Sequence, residues 1–462
     1  MTTDIISCSE SGPYQCKQLP VAADSKLFTL IRRYDMQRNE ICKHIIRKIR
    51  DYLHDPDCLS PHRKENRFVR KRSLSMLQVI QFLFYSSKVS MYQNLAGIFA
   101  DFPAFCFPKV SKQAISKARQ GIKPSLFADL FNLSVDIFYK NYDTRKLWYN
   151  YHIFAIDGSK LELPNSESNF SLFGEMFTTT SKEKRYFTQA LGSMVYDILD
   201  DYIVHASIYP YLSSERAVAI SHLQTLEALR IYEDSIIIFD RGYYSESMFR
   251  YCVEHGHLCV MRLKESLNIA KKCHGDSRFI LKGNPADGTN DLEIRVIEIT
   301  LDDGAKEYLG TNLDDPAIKP AMFKELYFLR WPIECKYYEL KEQLDIESFN
   351  GATSTSVMQE FYINMLLANI VSLIKNFVDT KIDSTANPKN KYRYQANRAF
   401  IIGRLKKTLP LSLFIPDKLH LIDDLISLAF QCRSQIQPGR SGIRRKQNGV
   451  RRTHFRNRKA AY

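Results

Sequence analysis

Between residues 148 and 345, short apolar runs alternate with amphipathic ones, which restricts the chain to few folds. Trp148–Ile156 is aromatic and β-branched and reads as a strand ending in Asp157-Gly158-Ser159. Gln189–Ile198 and Tyr202–Tyr209 read as two more strands, with Asp200-Asp201 at the turn between them. Ser213–Tyr232 is an amphipathic helix. Ser235–Phe239 follows as a buried strand ending in Asp240-Arg241-Gly242-Tyr243. Ser245–His255 reads as a helix and Leu258–Leu263 as a strand. Residues 264–305 hold Gly and Asp turns and the alternating run Leu292–Thr300, the pattern of a strand-rich insertion. Tyr308–Leu313 is a last strand and Ala321–Asp345 a long helix.

This succession predicts an α/β fold, a mixed sheet with helices packed on it, in the order of an RNase H-like core. Fold alone assigns no function. The rest of the chain reads as helical. Residues 24–54 form a polar, charge-mixed helix, and 73–140 are helical with an apolar face through Leu74, Met76, Leu77, Ile80, Phe82 and Leu83. The basic stretch 63–72 suits a DNA contact or a solvated linker equally. In 110–121, Ser111 caps a short helix with Lys112, Gln113, Ser116, Lys117 and Arg119 outward, which resembles a helix-turn-helix recognition segment. Short basic helices are common. The expected organisation is a helical DNA-binding region (1–147), a catalytic domain (148–350, insertion about 264–305), a helical region (351–439) and a basic tail (440–462).

With 462 residues, 45% of them hydrophobic, the chain can bury a large core. Its 65 Lys+Arg against 51 Asp+Glu give a net charge of +14, which favours polyanions through counterion release. The ten cysteines form no C-x-x-C pair, so a structural zinc site has little support and reduced, core-filling cysteines are expected. No secretory signal opens the sequence. The most apolar run, Phe361–Val378, is interrupted by Asn364, Asn369 and Lys375 and reads as a buried helix rather than a membrane span.

Asp157 and Asp240 each sit just past an apolar strand, at the edge where open α/β sheets bind ligands. Either alone fits an ordinary Asx turn equally well. The third segment is more specific. Tyr327, Arg330, Glu334 and Lys341 lie at offsets of three, seven and fourteen, within a helical arc of roughly 60° unless Pro332 kinks the helix or starts its regular part. A solvated salt-bridge face is the alternative. The surrounding Leu326, Phe328, Leu329, Trp331, Ile333 and Leu340 imply a packed helix, whose polar stripe then lines a site. Three carboxylates suffice to hold two Mg²⁺ ions for phosphodiester chemistry, with Arg330 and Lys341 holding flanking phosphates and Tyr327 bonding a phosphate or stacking on a base.

Together these segments resemble the DDE transposases of bacterial insertion sequences, in the group named for a Y-x2-R-x3-E-x6-K signature. Tyr327, Arg330, Glu334 and Lys341 meet that signature in full. Asp157-Gly158-Ser159 and Asp240–Tyr243 match the two preceding motifs. The resemblance covers about 148–350. It implies metal binding by Asp157, Asp240 and Glu334, with Mg²⁺ the expected ion and Mn²⁺ a substitute. It also implies contact of Tyr327, Arg330 and Lys341 with the transposon-end backbone. Water would free a 3′-OH at the element's end, and that hydroxyl would attack target DNA. Expected partners are double-stranded DNA, as terminal repeats and target, and a second copy in a paired-end homodimer; the expected place is the bacterial cytoplasm, with no membrane. Trp148 and Trp331 are the only tryptophans, so the insertion offers none for base stacking. The tail from Arg440 carries no acidic residue and suits DNA or plain solvent. Rival readings are an RNase H-like nuclease without strand transfer, an inactive end-binding relic, and a transcriptional regulator built on 110–121, which leaves the carboxylates unexplained.

Overall fold

The computed structural model describes residues 25–436, apart from 70–73, 142–144, 180–183, 232 and 303. Helices α1 (Ser25–His54), α2 (Pro56–Leu59), α3 (Met76–Tyr85), α4 (Met91–Asp101), α5 (Lys112–Arg119) and α6 (Ser125–Asn141) precede the first strand. The helix starts are written locally. Ser75 with Gln78, and Ser90 with Gln93, form reciprocal capping boxes on α3 and α4. Helix α1 is not simply polar: Ile41, Cys42, Ile45, Ile46, Ile49 and Leu53 form a buried stripe.

The sheet region follows as β1 (His152–Glu162), α7 (Glu167–Phe173), β2 (Met176–Thr179), β3 (Lys184–Phe187), β4 (Gln189–Asp197) and β5 (Tyr202–Pro210). Then come α8 (Glu215–Leu229), β6 (Ser235–Phe239), α9 (Glu246–Glu254), β7 (Leu258–Arg262), α10 (Asn268–Lys271), β8 (Asp276–Leu281), β9 (Leu292–Thr300) and β10 (Lys306–Thr311). Among the described residues these make one eight-stranded sheet in the order β5-β4-β1-β6-β7-β10-β9-β8. β1, β4 and β5 form an antiparallel meander, and β1, β6 and β7 run parallel. This is the expected RNase H-like order. β6 is buried at all five positions, as a strand flanked on both sides and covered on both faces must be. The insertion is no separate body, because β10, β9 and β8 extend the same sheet beyond β7. Among the described residues β2 and β3 pair only with each other, an antiparallel pair the sequence reading missed.

The last described segments are α11 (Phe323–Phe328), α12 (Pro332–Tyr338), α13 (Ser354–Ser384), β11 (Arg393–Ala396), α14 (Arg398–Phe414), α15 (Leu421–Gln431) and β12 (Arg433–Ile436). Helix α13 contains the most apolar run and is largely buried inside the protein, so it serves as the central core helix. It packs against α1, α6 and β5, which joins helices from both ends of the chain into one layer on the sheet. Four described cysteines, Cys42, Cys252, Cys259 and Cys273, are buried, and none of the described cysteines forms a disulfide. The basic tail and part of the 63–72 stretch lie outside the described residues.

Two sequence expectations need correction here. Arg119 does not face outward. It is 1% exposed, and its guanidinium donates to Gln359 Oε1 and to Glu360 Oε1, both at 3.0 Å, which ties α5 to α13. The expected continuous helix 321–345 is broken: α11 ends at Phe328, Pro332 starts α12, and a π-helical turn spans Glu339–Gln343.

Candidate active site

The register of two parallel strands brings the first two carboxylates together. Ile156 of β1 stands opposite Phe239 of β6. The next residues, Asp157 and Asp240, therefore lie side by side where that pairing stops, with neighbouring strands about 4.8 Å apart. β1 itself does not end at Asp157, contrary to the sequence reading. Its antiparallel pairing with β4 continues to Glu162, opposite Gln189, with Asp157 opposite Met194.

Asp157 is held from several directions. Its Oδ1 accepts the Gly158 N–H at 2.9 Å, and its backbone carbonyl accepts the Tyr337 hydroxyl at 2.7 Å and Ser193 Oγ at 3.2 Å. Behind Ser193, His222 Nε2 lies 2.9 Å from its Oγ, and His205 Nδ1 lies 2.8 Å from His222 Nδ1. With the Ser193 proton on the Asp157 carbonyl, His222 Nε2–H donates to Ser193 and His205 Nδ1–H donates to His222, one proton per bond with both rings neutral. Burial depresses the pKa of both histidines and so favours those neutral forms.

Asp240 starts a turn closed by the Tyr243 N–H donating to its carbonyl at 3.0 Å, and its Oδ1 accepts the Tyr327 hydroxyl at 3.2 Å. Glu334 arrives on the first turn of α12. The opposite side of that helix is fixed by a buried ion network. Lys336 Nζ lies 2.7 Å from Asp201 Oδ1 and 2.9 Å from Glu339 Oε2, and Arg398 bridges Asp201 and Glu339. Glu334 Oε1 accepts from Arg330 Nη2 at 2.6 Å.

The electrostatics bind these groups into one unit. Burial pushes the Asp157 carboxyl up to about 7; Asp240 and Glu334 add to the rise, while Arg330 and the Gly158 amide oppose it. Burial works against the Arg330 charge, yet Tyr327, Asp240, Asp157 and Glu334 outweigh it and raise that group's pKa. Burial likewise raises the Tyr327 phenol, keeping it a donor. Tyr327 and Arg330 thus face the carboxylates rather than an open surface. Lys341 lies apart, in the π-helical turn, where its Nζ donates to the Lys160 carbonyl at 2.5 Å and stands 3.6 Å from Glu347. It borders an open cleft of about 560 Å³ that Gly158, Lys160, Tyr211 and Glu215 also line. Among the described residues, no three His, Cys, Asp or Glu side chains stand close enough together to hold a metal ion as placed. Glu215, which the sequence reading did not single out, also borders this cleft, near Gly158 and Gly242.

The chain is similar to known proteins. Residues 148–370 match the family model of the transposase DDE domain. The chain is 23% identical over 360 residues to transposase InsG of insertion sequence element IS4 from Escherichia coli (strain K12), covering 74% of this chain and 78% of that protein. A cryo-EM structure of the piggyBac transposase synaptic complex with hairpin DNA superposes with a TM-score of 0.43 at 12% identity, over 88% of this chain and 86% of the other. The matched residues span the whole eight-stranded sheet and all three expected carboxylates and form a transposase DDE domain, which, with the likeness to the IS4 transposase, supports an insertion-sequence transposase that cleaves DNA and transfers strands.

Proposed function

We propose that Asp157, Asp240 and Glu334 are the residues that hold the divalent cations of this chemistry, with Mg²⁺ the working ion and Mn²⁺ a substitute. The observation that carries the reading is the side-by-side exit of Asp157 and Asp240 from paired strands, with a guanidinium drawn in among them and Glu334. The donor set fits a hard cation. All its ligating atoms are oxygens, and three carboxylates exceed the single positive charge that Arg330 supplies. Such ions, when bound, activate an attacking oxygen and stabilise the leaving oxygen of an in-line displacement.

The chain's own residues do the rest. Tyr337 and Ser193 fix the β1 backbone, so that Asp157 cannot drift from Asp240. Tyr327 orients the Asp240 carboxylate. Arg330 balances the carboxylate charge and is the cation placed to meet a phosphate when Glu334 takes a metal partner instead. Lys341 and Lys160 border the cleft, where the backbone of the transposon end enters. The helical region to residue 147 contributes further DNA contact through α5, whose Lys112, Gln113, Ser116 and Lys117 are exposed. The substrates are double-stranded terminal repeats and target DNA, handled by a homodimer on paired ends in the bacterial cytoplasm.

The test is cleavage of a labelled fragment carrying the element's terminal repeats, comparing wild type with Glu334→Gln, in Mg²⁺ and in EDTA. Cutting that requires both Mg²⁺ and Glu334 is expected. Undiminished cutting by Glu334→Gln would remove Glu334 from the site.

A further inference from the structure

We infer that the outward face of the β2–β3 pair, formed by Phe177, Thr179, Lys184 and Tyr186, is a DNA-binding surface beside the cutting centre; the inference rests on the reading of Asp157 and Asp240 just given. The register fixes that face. Phe177 stands opposite Tyr186 and Thr179 opposite Lys184, so the alternation of side chains puts these four on one side and Met176, Thr178, Arg185 and Phe187 on the other. The two sides differ in burial. Met176, Thr178 and Phe187 are half-buried, whereas all four residues of the outward face are exposed, Phe177 by 57% and Tyr186 by 50%. The two rings lie 6.3 Å apart between centroids, and Lys184 Nζ sits 5.0 Å from the centre of the Phe177 ring.

The sheet decides where this face stands. Past Ile156, β1 loses its parallel partner β6 but stays paired with β4 as far as Glu162. That two-stranded overhang carries Gly158, Ser159 and Lys160 along the cleft. From Asp157 to Glu162 it spans about 17 Å at about 3.4 Å per residue. A DNA strand covers that distance in about five nucleotides. β2 and β3 lie in the connection between the ends of the overhang. Their base is anchored there, because Thr188 Oγ1 donates to the Gly174 carbonyl at 2.8 Å and Asn165 Nδ2 to the Tyr186 carbonyl at 3.2 Å. The strands, Met-Phe-Thr-Thr and Lys-Arg-Tyr-Phe, hold two cations and no carboxylate, and among the described residues neither cation has an ion pair. Single exposed apolar side chains are ordinary. An exposed aromatic pair with a cation beside it is what a nucleic-acid strand needs, with ring faces for bases or sugars and charge for a phosphate. A second copy of this chain would bring the same net charge of +14 against these cations, whereas DNA brings the opposite sign.

The experiment is fluorescence anisotropy of a labelled duplex carrying the element's terminal repeat and its flank, titrated with full-length protein in EDTA over a salt series. Wild type is compared with Phe177→Ala/Tyr186→Ala, Lys184→Ala, Arg185→Ala and Asp157→Asn. Each protein is also followed by thermal melting, by sedimentation without DNA and by cutting in Mg²⁺. The double variant should bind at least roughly tenfold more weakly. Lys184→Ala should flatten the slope of log affinity against log salt by about 0.9, the loss of one phosphate contact. Arg185→Ala, the same charge change on the opposite side, should keep the wild-type slope, and Asp157→Asn should still bind and not cut. If the double variant and Lys184→Ala both bind like Arg185→Ala, the inference fails, and an Asp157→Asn protein that does not cut leaves the aspartate site intact. If the double variant sediments at a lower mass than wild type, the face joins two copies and the inference fails. Cutting by Asp157→Asn would instead overturn the aspartate reading, and the placement of this face with it.

Discussion

Replacing Asp157 by Asn should stabilise the protein at alkaline pH, even as it removes activity. The Asp157 carboxyl is raised from 3.8 to about 7, mainly by burial. A raised acid holds its proton more tightly in the folded state than in the unfolded one. Folding therefore loses stability as pH rises from about 4 to about 7, and the loss is complete above that. A shift of about three units corresponds to a ceiling of roughly 4 kcal/mol. Asp157 keeps some solvent contact and Arg330 lies near, so about 2 kcal/mol is the expected size. The assay is urea denaturation of wild type and Asp157→Asn at pH 4.5 and pH 8, each in EDTA and in excess Mg²⁺. In EDTA the variant should be the more stable at pH 8, with the gap nearly closed at pH 4.5. Mg²⁺ at a hundredfold its dissociation constant should then stabilise wild type by about 2.7 kcal/mol and the variant by much less. Equal stability of the two proteins at pH 8 in EDTA, or an undiminished Mg²⁺ effect in the variant, would refute the reasoning.

Other expectations follow from single contacts. Arg119→Ala should cost about 3 kcal/mol in urea denaturation, because it strips a buried partner from Glu360, while end binding at saturating fold stays unchanged. Tyr337→Phe removes the hydroxyl on the Asp157 carbonyl and should cost about 1 kcal/mol of stability and slow cleavage, read by melting and single-turnover assays. Lys341→Ala should weaken end binding evenly across sequences and reduce the salt dependence by about one phosphate contact, measured by fluorescence anisotropy over a salt series. Arg330→Ala should reduce both end binding and cutting, and a variant that cuts normally would dismiss its place among the carboxylates.

Much of the sheet could be read directly from the sequence, because its strands carry their own signal. The apolar run Ser235–Phe239 gave the bounds of β6 residue for residue, since a strand buried on both faces must be apolar throughout. β1 was read too short for the opposite reason. Asp157-Gly158-Ser159 looks like a turn, but the antiparallel neighbour β4 supplies hydrogen bonds that keep these polar residues in the strand. That pairing is tertiary and leaves no mark in local composition. The helix through Glu334 was read as one element from its high apolar content, with Pro332 marked as a kink or a start; Pro332 does start α12, and the π-helical turn that carries Lys341 has no mark in local composition. Arg119 misled for a related reason. A cation on a short polar helix reads as solvent-facing until Gln359 and Glu360, 240 and 241 residues away, are known to be its partners.

The spacing of Asp157 and Asp240 has an origin that loops do not share. It is inherited from the repeat distance between hydrogen-bonded strands, locked by the Ile156–Phe239 pairing. Eighty-three positions separate the two aspartates in the chain, yet hairpins, helices and turns within that interval can lengthen or change without altering the gap. Evolution can therefore refit the DNA-facing surroundings of such a protein, while the sheet acts as a ruler that keeps the two oxygen donors at a fixed pitch.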